Sequence, residues 1–400
     1  MVKVAISSGN GPAHHKGGTV SLLAREAPSA PTVTAPAPGT ASPRPSHARA
    51  HSLDESMRLA ESGAPRLAPP PEGKARPSEP LRTARPRVTV VVPCKNRAHY
   101  LPATLESILA QDYPELECIV VDAASTDGTL ELLRAYESRG VRWVSEPDAG
   151  AFEAIARGWA MGTGAILAWL NADDTWEPGA VSTAVAAFDA NPGAAVVHGA
   201  CGLMDDSGRV SQLVVARHFT LAASLVYCDH IIMQSASFMS RAAVDAAGGL
   251  YPAWTHDQEL WLTIATTGGE FVAIPEHLAN VRDVRGHIHT VPGIMIPARV
   301  AMMHRYFARP DVPPELYAER ARTLSNTYLR GFDLLRPSNP RHWRWAVICF
   351  IRAIAECPSN TPFVLRGIGS RALHRFDRVY WAFATARGIA RGYLGSILRR

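Results

Sequence analysis

The 400-residue chain is expected to fold as an α/β protein built on a sheet with helices on both faces. Three observations carry that expectation. Apolar runs rich in Val and Ile recur along residues 88–170, helix-period stretches separate them, and each run stops at a turn signal that carries Asn or Asp. Continuous apolar runs of this length, bounded by turn residues, read as strands buried on both faces of a parallel sheet. Alternation of strand and helix builds such a sheet, and right-handed crossovers bring the strand carboxyl ends to one edge.

The first strand is Val88-Thr-Val-Val-Val92, which leads into Pro93-Cys-Lys-Asn-Arg97. A helix-period stretch from about Leu101 to Gln111 follows. Glu117-Cys-Ile-Val-Val121 is the second strand and runs into Asp122; a helix from about Thr129 to Glu137 comes next. Val141-Arg-Trp-Val144 leads into Ser145-Glu-Pro-Asp-Ala-Gly150, then a helix from Ala151 to Met161. The fourth run, Ala165-Ile-Leu-Ala-Trp-Leu170, ends in Asn171-Ala-Asp-Asp174. Ligands of open α/β sheets sit outside the strand carboxyl ends. Asn96, Asp122, Asp148 and Asp173 are therefore expected to face one cleft. Oxygen-bearing groups at this short spacing suit a hard divalent cation that keeps several waters and bridges to a phosphate-bearing ligand. An Asp-rich turn capping the next helix is the plainer reading of the same residues.

Composition bounds the rest. Residues 1–86 hold 14 of the 31 prolines and no Phe, Trp or Tyr, so they cannot bury enough apolar surface to offset their ordering entropy and are expected to be disordered. A capping box, Ser52-Leu-Asp-Glu55, allows one brief helix there. Met1-Val-Lys-Val-Ala-Ile lacks the apolar core of a secretory signal. No run reaches the roughly 18 apolar residues of a spanning helix; the longest candidate, Trp345 to Ala355, is broken by Arg352. The six cysteines are scattered with no Cys-x-x-Cys, which argues against a metal cluster or disulfide framework. A cytoplasmic protein is expected.

The motifs of Val88 to Pro178 resemble the nucleotide-sugar half of a family 2 glycosyltransferase of the GT-A fold. The matching pieces are Val90-Val-Val-Pro-Cys-Lys-Asn-Arg97, Leu105-Glu-Ser-Ile-Leu-Ala-Gln-Asp-Tyr-Pro114, Val120-Val-Asp-Ala-Ala-Ser-Thr-Asp-Gly-Thr129, Glu146-Pro-Asp-Ala-Gly150 and Leu170-Asn-Ala-Asp-Asp174. A fainter likeness continues through His256-Asp-Gln-Glu-Leu-Trp-Leu262. The resemblance covers roughly residues 87–290 and implies a GT-A fold, a Rossmann-like mixed sheet flanked by helices; with the compositionally disordered tail over 1–86 and helical periodicity after it, a GT-A domain is expected over residues 87–298 and a helical region over residues 299–400.

Residue by residue, the resemblance implies that Pro93 and Asn96 line the base and ribose pocket, Asp122 hydrogen-bonds the base or its sugar, and Asp148 sits near the ribose and diphosphate. Asp173 is implied as the principal ligand of Mg²⁺ or Mn²⁺, with Asp174 beside it and Asn171 in the first acidic position of the motif. Asp257 is the implied general base, at the start of a helix whose apolar residues Leu260, Trp261 and Ile264 repeat behind it. Helix capping is the competing role for Asp257, and Glu259 is the second choice of base. His287 and His289 are candidate metal or phosphate contacts, though a surface pair is the commoner reading. Met233 replaces a histidine of relatives next to Gln234. Lys95, Arg282 and Arg285 are candidate diphosphate contacts that also read as solvated charges.

Residues 361–400 carry eight Arg against Asp377 alone, so the rest of this +5 chain sums to about −2. Mixed with Phe376, Tyr380, Trp381 and Tyr393, that charge suits either an amphipathic segment on an anionic membrane or a basic helix packed on its own protein. The expected activity is transfer of a sugar from a nucleoside diphosphate, UDP foremost, to a saccharide or lipid-linked acceptor with inversion, in cell-surface or exopolysaccharide synthesis. A GT-A-like scaffold without turnover is the alternative, suggested by Asn171 and Met233. A dinucleotide oxidoreductase is set aside because no Gly-x-Gly-x-x-Gly turn follows the first strand. No nucleic-acid recognition motif accompanies the basic end.

Overall fold

The computed structural model describes residues 85–226, 232–250, 257–282, 292–338 and 343–362. The tail expected to be disordered, the capping box at Ser52, Arg285, His287, His289 and nearly all of the basic end lie outside these residues. The first half of the sheet follows the sequence pattern. Strands β1 (Val88–Cys94), β2 (Leu116–Asp122), β3 (Arg142–Ser145) and β4 (Ile166–Trp169) alternate with helices α1 (Leu101–Leu109), α2 (Thr129–Tyr136) and α3 (Ala151–Met161). All pair in parallel, with β1 between β2 and β4. Cys94 lies opposite Asp122 and Asp122 opposite Ser145, so three strands end level at one rim.

Side chains alternate across this sheet because strand residues point to opposite faces in turn. Val88, Val90, Val92, Cys118 and Val120 pack with Leu101, Leu105 and Ile108 of α1 and Leu133 of α2. Val91, Ile119 and Val121 pack on the other face with Ala154, Ile155 and Trp159 of α3. Each fully buried Val or Ile contributes about 1.5–3 kcal/mol, which explains the uninterrupted apolar runs.

Beyond β4 the sheet becomes mixed. The chain continues through β5 (Thr175–Trp176), α4 (Ala180–Ala190), β6 (Ala194–Met204), β7 (Val210–Val214), α5 (Leu221–Val226), β8 (Ser237–Ser240), α6 (Arg241–Ala246), α7 (Gln258–Thr266) and β9 (Glu270–Arg282). The nine strands run β3-β2-β1-β4-β8-β6-β9-β5, with β7 attached to β6. Strand β8 is antiparallel to both β4 and β6, whereas β6 and β9 are parallel. This is the mixed, helix-flanked sheet of a GT-A-like fold.

Four helices complete the described chain: α8 (Pro292–Phe307), α9 (Pro314–Tyr317), α10 (Arg320–Ser338) and α11 (Trp343–Glu356). The boundary expected between residues 298 and 299 falls inside α8. The reason is a shared core: Leu225 of α5 and Leu262 of α7 pack with Met302, Met303, Tyr306 and Phe307 of α8 and Leu324 of α10. A second apolar cluster joins α8, α10 and α11.

Glycines set how closely α3 and its exit loop approach β1. A Cβ on Gly158 would stand 2.5 Å from Val91 Cγ1, and one on Gly164 would stand 2.5 Å from the Thr89 backbone nitrogen and 2.9 Å from the Arg87 carbonyl oxygen. Backbone cannot yield as a side chain does. Gly164→Ala is expected to cost about 1–3 kcal/mol, read as a lower midpoint in denaturant unfolding; unchanged stability would reject this close packing.

Candidate active site

The loops after β1 and β2 are stitched together. Asp122 is fully buried; its carboxylate accepts from the Ser125 backbone N–H at 2.9 Å, from the Ser125 hydroxyl, and from the Ser145 hydroxyl at 2.7 Å. The Asn96 backbone N–H donates to Ser125 Oγ at 2.7 Å, and Asn96 Oδ1 accepts from the Thr126 N–H at 2.9 Å. Asn96 (φ 51°) and Ala124 (φ 53°) both take the left-handed conformation, which non-glycine residues adopt at a cost and which clusters at functional sites. Asp122 therefore does not face the cleft as expected: burial level with the strand ends turns it into the anchor of both loops.

Asp148 is half-buried at the same rim, and its Oδ1 accepts from the Gly150 N–H at 3.0 Å, just before α3. Burial raises its carboxyl above the usual range, Glu153 adding to that, while the Gly150 bond and the charges of Lys95 and Arg157 oppose it. Pro93 is half-buried and Lys95 and Asn96 are exposed.

The two aspartates after β4 have different environments. Asp174 is almost wholly buried. Its Oδ1 accepts from the Arg282 backbone N–H at 3.0 Å, and its Oδ2 accepts from Ser235 Oγ at 2.6 Å and Asn171 Nδ2 at 3.0 Å. Thr104 Oγ1 donates to its carbonyl at 2.8 Å. Burial, with the Asp173 charge adding, pushes its carboxyl up from 3.8 to about 6. Asp174, expected as a second metal ligand, is instead an internal brace because both oxygens are spent on the protein. Asp173 keeps a narrow opening and lies 3.3 Å from Arg97 Nε, whose side chain is 41% exposed.

Asn171 follows from the same constraint. Its amide donates to Asp174 and, at 3.4 Å, to Gln234 Oε1, while Gln234 Nε2 donates to the Trp169 carbonyl at 2.6 Å. A carboxylate at position 171 could not donate and would set a third negative charge against Asp174. Met233 packs against the core, so the position of the missing histidine serves as an apolar contact.

Arg282, expected as a solvated charge or diphosphate contact, is buried at the end of β9. Its Nε donates to the Asp173 carbonyl at 3.0 Å, and one terminal nitrogen donates to the carbonyls of Asp205 at 2.8 Å and Asp206 at 3.0 Å. Its guanidinium stands 5.0 Å from the centre of the Tyr100 ring, and Tyr100 donates to Asp206 Oδ1 at 2.7 Å. Arg282 thus ties the 171–174 loop to the β6–β7 turn and α1. Its charge was visible in the sequence, but the strand that ends at it was not, and its partners come from distant segments.

Asp257 caps α7, its side chain accepting from the Gln258 N–H at 2.8 Å, and is half-buried. Trp261, one turn on, stacks on Trp169 with ring centres 5.9 Å apart and planes 10° apart. That stack sets the first turns of α7 against the strand that runs into Asn171. Glu259 is excluded as a base: it is buried in a two-bond pair with Arg305, at 2.8 and 2.6 Å.

A divalent cation needs anionic oxygen here. Among the described residues no group of three or more His, Cys, Asp or Glu side chains could hold a metal. Of the two aspartates after β4, Asp173 is the one that keeps an opening; a cation of the Mg²⁺ type takes one or two carboxylates and fills its shell with waters and substrate phosphates.

Residues 89–246 match the family described as Glycosyl transferase family 2. This segment is a family 2 glycosyltransferase domain. A PGL/p-HBAD biosynthesis glycosyltransferase of Mycobacterium bovis (strain BCG) is 35% identical over 108 residues, 26% of this chain and 42% of its own length. An uncharacterized glycosyltransferase of a Nostoc species is 28% identical over 115 residues, 28% of this chain and 36% of its own. The chain spans about two fifths of these relatives. The crystal structure of Staphylococcus aureus TarS 1–349 in complex with UDP-GlcNAc superposes with a TM-score of 0.54 at 16% identity, covering 70% of this chain and 83% of that one. That likeness shows a shared GT-A fold.

Of the candidate residues, Pro93, Asn96, Asp122, Asp148, Asn171, Asp173 and Asp174 lie within the family 2 segment, whereas Asp257 and Arg282 lie beyond it. The Asp174 brace has a testable pH signature. A carboxyl whose folded pKa lies above its unfolded value binds its proton earlier in the folded chain, so its contribution rises as pH falls from 7 toward 4. With chelator present, wild type is expected to gain about 1 kcal/mol on Asp174→Asn between pH 7 and pH 5. A constant difference in urea unfolding would place Asp174 outside this account.

Proposed function

We propose that this chain transfers a sugar from a nucleoside-diphosphate donor, a UDP-sugar foremost, to a saccharide or lipid-linked acceptor, by a single inverting displacement. The observation that carries the reading is the contrast between two adjacent aspartates: Asp174 is sealed into the protein and Asp173 is held on a braced loop at the strand-end cleft. The family 2 domain, the GT-A fold and the glycosyltransferase relatives support it.

In this reading the 93–97 loop and Asp148 hold base, ribose and diphosphate, and Asp122 keeps that loop in shape. Asp173 would hold Mg²⁺ or Mn²⁺, which would supply Lewis-acid neutralisation of negative charge on the diphosphate. Asp257 accepts the acceptor hydroxyl's proton as that oxygen attacks the anomeric carbon; the bond from that carbon to the diphosphate oxygen breaks, with inversion. Capping engages one carboxylate oxygen of Asp257, Oδ1, which accepts from the Gln258 N–H. The scaffold alternative loses support because Asn171 and Met233 each have a structural task. No helix among the described residues is long and apolar enough to cross a membrane. Work at the inner face of the plasma membrane, in cell-surface or exopolysaccharide synthesis, is part of the proposal.

The test is nucleotide release and sugar transfer over a panel of nucleotide sugars with Mn²⁺. Asp173→Ala and chelation are each expected to abolish turnover. Asp257→Asn is expected to lower kcat by about 10²- to 10⁴-fold with folding intact, because Asn caps a helix about as well as Asp. Activity retained in either variant removes that residue's role, and donor binding without turnover across the panel favours the scaffold.

A further inference from the structure

We infer that Arg97 is the resident counter-ion of Asp173, that it must leave this carboxylate before a divalent cation can sit there, and that its guanidinium then passes to the diphosphate of the bound nucleotide. The inference rests on the reading of Asp173 as the cation-holding residue. It adds that cation and nucleotide bind as a coupled pair.

Arg97 combines a fixed backbone with a side chain that can turn. Its N–H donates to Thr129 Oγ1 at 3.3 Å, and its carbonyl accepts from the N–H groups of Tyr100 at 3.0 Å and Leu101 at 2.9 Å, where α1 begins. None of these bonds uses the guanidinium. That group has Nε 3.3 Å from Asp173 Oδ2, and its Nη1 donates to the Asn96 carbonyl at a long 3.4 Å. The Asp173 side chain is 6% exposed and the Arg97 side chain 41%, so the acid lies beneath a cation that itself reaches water. The second arginine at this loop is built differently: Arg282 is buried, and it spends Nε and a terminal nitrogen on the carbonyls of Asp173, Asp205 and Asp206. Arg282 is a strut. Arg97 is held by an attraction that water screens, and exposed pairs of that kind are weak.

Asp173 needs a positive partner, because its charge acts on the buried Asp174 beside it and a buried carboxylate stripped of its partner is costly. A guanidinium and a hard divalent cation meet that need on the same carboxylate, and placed there together they repel each other. On Asp173 they are therefore alternatives. A nucleotide diphosphate shifts the balance, since it offers the displaced guanidinium oxygens that match its planar fork. Each ligand then favours the other, by a factor that linkage makes reciprocal.

The experiment titrates Mn²⁺ into the full, nucleotide-free chain, following the free ion by electron paramagnetic resonance, and titrates UDP into the same protein at saturating Mn²⁺ by calorimetry. Arg97→Gln is expected to tighten Mn²⁺ at least about fivefold and to weaken UDP at least about fivefold, the lower end of ordinary coupling between sites. Arg97→Lys keeps the charge and is expected to stay near wild type in both. A residue that only shaped the loop would weaken both ligands on removal, so the opposite signs are the signature. If Arg97→Gln lowers the thermal midpoint, Arg97→Met, which keeps an apolar stem, takes its place with the same two shifts expected. Mn²⁺ affinity that is unchanged or weaker in the variant without the charge overturns the inference. So does UDP affinity that does not fall, Mn²⁺ bound by neither wild type nor variant, or Mn²⁺ held undiminished by Asp173→Asn. Sugar transfer is followed separately over the donor panel. Opposite shifts without turnover overturn the transfer reading alone, and turnover with a Mn²⁺ affinity indifferent to Arg97 overturns the counter-ion role alone.

Discussion

The burial of one carboxylate, Asp174, organises the cleft. Its oxygens gather the exit of β4 through Asn171, the turn after residue 233 through Ser235, and the end of β9 through the Arg282 N–H. Desolvating that charge is expensive, which the rise of its pKa to about 6 expresses, and three hydrogen bonds from separate segments offset the cost. Arg282 extends the arrangement by gripping the Asp173 carbonyl and the β6–β7 turn. The neighbouring Asp173 is thereby supported by packed partners, the condition under which a functional group keeps its geometry without reorganising.

The same economy of charge explains the departures from the family motif. Asp173 and Asp174 already repel one another, and each has its own countermeasure: a guanidinium beside Asp173 and hydrogen-bond donors around Asp174. Asn171 adds a donor where another acid would add repulsion. Farther along the chain, the Trp169–Trp261 stack and its edge contact with Trp159 couple α3, β4 and α7, so that the strand leading to Asn171 and the Asp257 helix belong to one packed layer.

The parallel half of the sheet was legible from sequence because strands buried on both faces carry continuous apolar runs, as 90–92 and 118–121 do. Helix α3 was found with its observed ends. Strands β6 and β9 were not read, since glycines and a histidine interrupt the first and polar residues the second. Within the site, residue type pointed to the right loops but not to which oxygen faces inward. Asp173 and Asp174 are indistinguishable by composition, Asp122 is consumed by Ser125 of its own loop and Ser145 of β3, and Arg282 became meaningful only with its partners in place. These are long-range facts, set by tertiary packing.

The Glu259–Arg305 pair bears on how this protein can be divided. Both side chains are more than nine-tenths buried, and removing one partner of such a pair typically destabilises by about 3–5 kcal/mol because the other charge is stranded. Arg309 reaches Thr263 Oγ1 at 2.7 Å and Tyr306 meets Thr266 at 2.9 Å, so three successive turns of α7 lean on the chain after residue 298. Helix α8 is thus a structural wall of the catalytic module. An excised module ending at the conventional limit of its sheet would carry a stranded anion directly behind Asp257.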